Sequence, residues 1–103
     1  MERWPIKFHP RTRGEIKDAV LWYHDIDESL SVEFSDALDV AMGRIVRSPR
    51  QWPVYVDEYR HVLLDRFPYI VVYRVHEAEV QVIAVAHTKR RPGYWRSRMK
   101  SEI

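Results

Sequence analysis

The run "AVAHTKRRPGYWRSR", Ala84 to Arg98, starts as a buried strand and turns, just past His87, into cations and aromatics. Metal-independent cleavage of an RNA phosphodiester calls for these residue types. It needs a base for the 2′-hydroxyl, an acid for the leaving 5′-oxygen and cations for the charge that builds on phosphate. Histidine titrates near neutrality and suits the first two tasks, arginine engages phosphate oxygens in pairs, and aromatic rings hold unstacked bases. On that chemistry His87 is a candidate acid or base, Arg90 a candidate phosphate-holding cation, Arg60, Arg66 and Arg74 cations that the strands could add, and Tyr94 a ring that stacks on or positions a base. Arg74, Lys89, Arg91, Trp95 and Arg96 are candidate contacts to a nucleic acid or another target. Each also has a structural reading. His87 can end a strand as a hydrogen-bonding terminator, Tyr94 and Trp95 can fold back over the core, and Arg74 can pair with Glu77 or Glu79 at a hairpin.

The charge distribution points the same way. The chain carries a formal net charge of +2, yet Lys89, Arg90, Arg91, Arg96, Arg98 and Lys100 stand against Glu102 alone after residue 86. A mildly acidic body therefore ends in a basic segment, residues 87–103, which suits an anionic partner: nucleic acid first, an acidic protein second. With 103 residues and 46% of them hydrophobic, the expectation is a single domain, 1–103, with one core. Cysteine is absent, which removes disulfides, thiolate catalysis and zinc-thiolate sites. No apolar run reaches the roughly 20 residues needed to cross a bilayer, and the N-terminus lacks the apolar centre of a signal peptide, so the expectation is a soluble cytoplasmic protein without a membrane partner. The sequence holds no HExxH, phosphate-cradling glycine loop or GxSxG elbow, and its histidines lack ligand spacing; neither metal nor cofactor is expected.

The elements that must position these residues follow from period. "WPIKFHP" alternates Ile6 and Phe8 with Lys7 and His9, as a short half-buried edge strand does. In "TRGEIKDAVLWYHDID", Thr12 and Glu15 match a capping box, and Ile16, Ala19, Val20 and Tyr23 form one apolar stripe. A second helix, capped by Ser29 or Ser31, carries Phe34, Ala37, Leu38, Ala41, Met42 and Ile45 and stops at Pro49. The short link makes the two an antiparallel hairpin. Tyr59–Leu64, Tyr69–His76 and Val80–His87 then read as a meander whose last strand, almost continuously apolar, is central. The predicted fold is α+β, in the order β-α-α-β-β-β, an antiparallel sheet with a helical hairpin packed on one face. Strict alternation places Arg74 and His87 on the other, open face, beside Val72, Ile83 and Val85. That face then suits the apolar side of a partner helix or strand flanked by carboxylates.

This order, with "WYHDIDESLSVEFSDAL", "SPRQWPVY", "RFPYIVVYRV" and "VIAVAHTKRRPGYW", resembles the RelE/ParE superfamily of toxins from bacterial type II toxin–antitoxin modules over essentially the whole chain. The resemblance implies a growth-arresting toxin, of the kind tied to plasmid stabilisation, neutralised by a cognate antitoxin that wraps around it. RelE-like members are mRNA interferases, endoribonucleases that cleave mRNA on the ribosome; ParE-like members poison DNA gyrase without that catalytic set. Arg60 matches a sheet arginine of the family, Arg90 or Arg91 the arginine after the last strand, and Tyr94 a C-terminal tyrosine. The lysine pair expected of the ribonucleases is missing, with only Arg47 or Arg50 in its place. The residues between His87 and Trp95 favour endoribonucleolytic cleavage of mRNA as the first reading and gyrase inhibition as the alternative.

Overall fold

The computed structural model describes residues 3–100, so residues 101–103 of the basic segment, and the side chain of Lys100, lie outside it. The order is β1 (Ile6–Phe8), α1 (Pro10–Ile26), α2 (Glu28–Arg47), β2 (Val54–Val56), β3 (Tyr59–Leu63), β4 (Tyr69–His76), β5 (Glu79–His87) and a short 3-10 helix (Arg96–Lys100). The strands form one sheet in the order β1-β5-β4-β3-β2. This is the expected α+β architecture, with one correction, a mixed sheet in place of a wholly antiparallel one, and one addition, a fifth strand. β1 joins the sheet parallel to β5, and Val54–Val56 pairs antiparallel with β3 as an extra edge strand. No helix among the described residues is long and apolar enough to cross a membrane.

Local chemistry sets the helix ends, though not at the residues expected. His9, not Thr12, caps α1: its Nδ1 accepts from Arg11 N at 3.1 Å, and Pro10 takes the first helical position, where its missing N–H is no loss. Thr12 instead donates its hydroxyl to His9 O at 2.7 Å. A single residue, Asp27, separates the helices. Its N–H bonds Tyr23 O to close α1, and its carboxylate accepts from Ser29 N at 2.9 Å to open α2, so the cap is Asp27 rather than Ser29 or Ser31. The Ser29 donors hold the Asp27 carboxyl below its usual pKa.

Both predicted helical stripes pack on the sheet. Ala19, Phe34, Leu38, Ala41 and Ile45 are buried against Val62, Val71, Tyr73, Val80, Val82 and Val85, with Ile16, Val20 and Tyr23 at the margin. Tyr23, Phe34, Phe67 and Tyr69 form an aromatic cluster at one end, with ring centroids 5.0–6.2 Å apart across the Tyr23 pairs. Tyr73 reaches through this layer to donate to Pro49 O, and burial pushes its hydroxyl up to about 12.

One bulge changes which side chains share a face. Val72 pairs with Ala84 but Tyr73 with Val82, leaving Ile83 as an extra residue in β5. Val80 and Val82 face the helices, Ile83 and Ala84 both face away, and Val85 returns to the helical side. Hence Arg74 and His87 do not share a face as expected. Arg74 lies on the far face beside Gln81, whereas His87 follows Val85 onto the helical face, its ring 5.1 Å from Tyr69.

The β4–β5 hairpin turns on Glu77 and Ala78, both in the left-handed region, with φ of 49° and 61°. A two-residue turn of this hand matches the twist of the strands but suits Asn-Gly better than Glu-Ala. An L-residue with a Cβ costs about 1–2 kcal/mol in that conformation. Ala78→Gly should therefore stabilise the fold by up to about 1 kcal/mol, glycine's extra unfolded-state entropy taking back the rest, and a raised urea midpoint would register it.

Candidate functional site

The face opposite the helices is not open. After β5 the chain turns through Pro92 and Gly93 and lays Trp95 on that face, only 1% exposed, in a cluster with Tyr59, Ile70, Val72, Ile83, Ala84 and Ala86. Val72, Ile83 and Val85, expected beside the cations on a bare surface, are all buried. Of the two readings left for Trp95, the indole takes the core. Gly93 permits the turn, since its φ is 86° and a Cβ there would come within 3.3 Å of Arg96 Nε.

What fastens the segment is a buried ion pair between its end and α1. Arg98 meets the Glu15 carboxylate with both terminal nitrogens, each at 2.9 Å, and the side chains are only 10% and 15% exposed. The pairing follows from the shortness of β1. Strand β1 ends at Phe8, so beyond it the outer edge of β5 has backbone groups with no strand to bond. Glu15 accepts from Val85 N at 3.0 Å and Arg98 donates to Ile83 O at 3.0 Å, filling that edge with side chains. Tyr94 adds a hydrogen bond from its hydroxyl to the other Glu15 oxygen. Burial, and then that carboxylate, push the Tyr94 hydroxyl far above its ordinary pKa.

The candidate residues are distributed unevenly over this frame. His87, Arg90 and Tyr94 come together in a groove of about 260 Å³ between α1 and the end of β5, shared with Trp22 and Tyr69. Arg90 lies with its guanidinium 3.9 Å from the centroid of the Tyr94 ring, and Arg98 stacks on the same ring at 5.1 Å. Arg60 is elsewhere: paired with Tyr73 on the helical face, it donates to the carbonyls of Arg50 and Trp52 and holds the α2–β2 loop. Arg74 bonds Gln81 at 2.7 Å and Glu58 at 3.0 Å, not Glu77 or Glu79. Arg96 pairs with Asp57 at 2.9 Å, an exposed contact of small energetic weight. Lys89 and Arg91 are exposed and, among the described residues, form no ion pair. Of the two arginines standing where a ribonuclease would have lysines, Arg50 stacks over Trp4 at 5.0 Å and Arg47 bonds Gly43 O at 3.2 Å. Glu15 and Arg98 were missed as site residues. The capping-box spacing gave Glu15 a local role, and no local pattern links it to a residue so distant in the chain.

Inside the groove, the chemistry of His87 is set by its neighbour. Its Nδ1 accepts from Lys89 N at 3.0 Å, so the neutral ring carries its proton on Nε2 and its one lone pair is engaged by that backbone N–H. Among the described residues, no group of three histidines or carboxylates is placed to hold a metal ion.

A second histidine bears on the far-face layer. His61 stacks on Tyr55 at 4.3 Å and Tyr55 on Trp95 at 5.8 Å, while His61 Nδ1 is buried without a partner. Burial lowers the His61 pKa from 6.5. The unfolded chain then binds this proton more readily than the folded one. Its contribution is unaffected above the unfolded value and declines as pH falls through 6.5 towards the lowered folded value. His61→Phe keeps the stack and removes the titration, so denaturation curves across that window should fall less steeply for the variant.

A helical hairpin on one face of a small sheet, with a basic C-terminal segment wrapped over the other, defines a small α+β domain, and comparison with known proteins defines it further. The family model for the ParE toxin of type II toxin–antitoxin systems, parDE, matches residues 6–92. Toxin ParE2 from two strains of Mycobacterium tuberculosis is 24% identical over 88 residues, covering 84% of this chain and 84% of the relative. A structure titled as a chromosomal ParDE toxin–antitoxin system from P. aeruginosa superposes with a TM-score of 0.73 at 15% identity, covering 82% of this chain and 96% of that one; at that identity the likeness is one of fold. The chain belongs to the ParE toxin family of type II toxin–antitoxin systems. As such a toxin it has an antitoxin for a partner. The matched residues stop at Pro92, just before Tyr94, Trp95 and Arg98.

Proposed function

We propose that this toxin arrests growth by binding DNA gyrase rather than by cutting RNA, and that its cognate antitoxin holds it inactive in the cytoplasm until released. One observation carries the reading: the atoms a metal-independent ribonuclease would use are already committed within the protein. The His87 lone pair is taken by Lys89 N, the Tyr94 hydroxyl by Glu15, and the Arg60 guanidinium by loop carbonyls. A base needs a lone pair, an acid a proton it can release at neutral pH, and a phosphate clamp an open fork. What stays accessible is charge: Lys89, Arg90 and Arg91 at the end of the sheet. Membership of the ParE family supports the same target.

The gathering of His87, Arg90 and Tyr94 in one groove favours a second reading, cleavage of mRNA with His87 as acid. Purified toxin added to gyrase supercoiling and DNA-cleavage reactions separates the two. The proposal expects inhibited supercoiling with trapped cleavage complexes. It also expects the double variant Arg90→Ala/Arg91→Ala to lose inhibition by about tenfold or more, while His87→Ala remains active. Unchanged supercoiling at excess toxin would overturn it.

A further inference from the structure

The N-terminus of α1 and the C-terminal segment enclose a second cavity, of about 410 Å³, on the β1 side of Tyr94. Among the described residues its walls are His9, Arg11, Arg90, Tyr94, Ser97 and Arg98, none of them a carboxylate. Glu15, which balances Arg98, lies on the other side of Tyr94 in the neighbouring groove. Arg11 and Arg90 form no ion pair among the described residues, so the cavity carries uncompensated positive charge.

Three further features make that charge specific. The first turn of α1 holds no acidic residue, and Arg11 stands in it, where the helix dipole already presents positive charge. A cation there is unfavourable unless an anion joins it. His9 is 6% exposed, and because its Nδ1 accepts from Arg11 N, its proton sits on Nε2, a buried donor that faces the Arg98 backbone and makes no well-formed hydrogen bond among the described residues. Burial first, and then the Arg98 and Arg11 charges, lower the His9 pKa, against a smaller opposing pull from the Arg98 backbone and Glu15. Finally, the arginine forks and the Ser97 hydroxyl come from separate elements, α1 and the C-terminal segment. Donors arranged around a concavity suit a tetrahedral oxyanion better than a planar carboxylate, which one fork can satisfy alone.

We infer that this cavity is a phosphate-binding site, with Arg11, Arg90 and Ser97 as direct donors and Arg98 and His9 as its wall. The phosphate is either the free ion or one unit of a nucleic-acid backbone. The exposed Lys89 and Arg91 beside Arg90 extend the positive surface along which a backbone would continue. The site does not depend on which enzyme the toxin arrests.

The test uses the purified toxin and a fluorescently labelled single-stranded oligonucleotide, with anisotropy read between roughly 50 and 200 mM salt. Phosphorus NMR of inorganic phosphate with the same protein is read in parallel. Arg11→Ala is expected to weaken oligonucleotide binding about tenfold and to reduce the salt slope by about one counterion. Arg11→Lys, which keeps the charge but not the fork, should recover only part of the affinity. Arg47→Ala, the same charge change on the exposed end of α2, is the control and should have a much smaller effect. Inorganic phosphate should compete better than chloride at matched ionic strength. Phosphate line broadening that Arg11→Ala abolishes, without oligonucleotide binding, assigns the site to the free ion. Equal effects of Arg11→Ala and Arg47→Ala, equal competition by phosphate and chloride, or no binding of either probe would overturn the inference.

Discussion

Trp95→Ala should cost about 3–5 kcal/mol of folding stability, the range for removing a large aromatic from a packed core. The side chain is among the largest in the molecule that are fully buried, and it is the piece that covers Ile70, Val72, Ile83, Ala84 and Ala86. Truncating it leaves a cavity against a sheet and frees the segment that carries Tyr94 and Arg98. A loss of that size is a large share of the 5–15 kcal/mol typical of whole domains, so the variant should be largely unfolded well below the wild-type midpoint. Trp95→Phe should cost much less, because a ring still fills the site and the deleted indole N–H has no acceptor to lose. Urea denaturation of the three proteins is the measurement. Equal midpoints for wild type and Trp95→Ala would mean that the segment does not cover the sheet in solution.

The second large effect concerns the ion pair that closes the segment. Glu15→Gln removes a charge from a nearly buried bidentate pair and leaves Arg98 uncompensated, a loss of about 3–5 kcal/mol when one partner of such a pair is deleted. Glu15 also accepts from Val85 N and Tyr94, and glutamine keeps one acceptor oxygen where the carboxylate had two. The double variant Glu15→Gln/Arg98→Met removes both charges and should be less destabilised than the sum of the single variants, since no lone charge stays behind. A double-mutant cycle by chemical denaturation gives the coupling, expected at about 1–3 kcal/mol. Additive costs would show that Glu15 and Arg98 act separately.

Much of this architecture was legible in the sequence, for reasons specific to each element. The stripes of α1 and α2 were readable because a helix's period is independent of what it packs against, and Phe34, Leu38, Ala41 and Ile45 meet the sheet as their spacing predicts. The near-continuous apolar run of β5 marked a strand inside the sheet, and it lies between β1 and β4. What covers the second face was not legible. Tyr94 and Trp95 follow "RRPG", a pattern equally compatible with a tail that leaves the surface, and burial of Trp95 depends on a surface built from β3, β4 and β5. The bulge at Ile83 was silent too: every residue around it is apolar, so no polar residue marks the change of phase. That single irregularity separates Arg74 from His87. The helix caps failed for a simpler reason. Thr12 and Ser29 have capping chemistry, but His9 before Pro10, and Asp27 between two helices, sit where the chain direction changes.

The same long-range contacts decide the site. From sequence, His87, Arg60, Arg90 and Tyr94 formed one chemical set. In the structure His87, Arg90 and Tyr94 share a groove, while Arg60 serves the α2–β2 loop and Tyr94 serves Glu15. Residue types announce what chemistry is available; which lone pairs and protons remain unspent is a property of the packed chain.

A toxin that acts by binding gyrase leaves RNA intact. Mapping mRNA 5′ ends genome-wide after induction of the toxin without its antitoxin tests it most directly, beside the His87→Ala variant. Growth arrest in both strains with no new internal 5′ ends is the expected result. Abundant new 5′ ends in wild type that disappear in His87→Ala would contradict it and restore His87 as a catalytic residue.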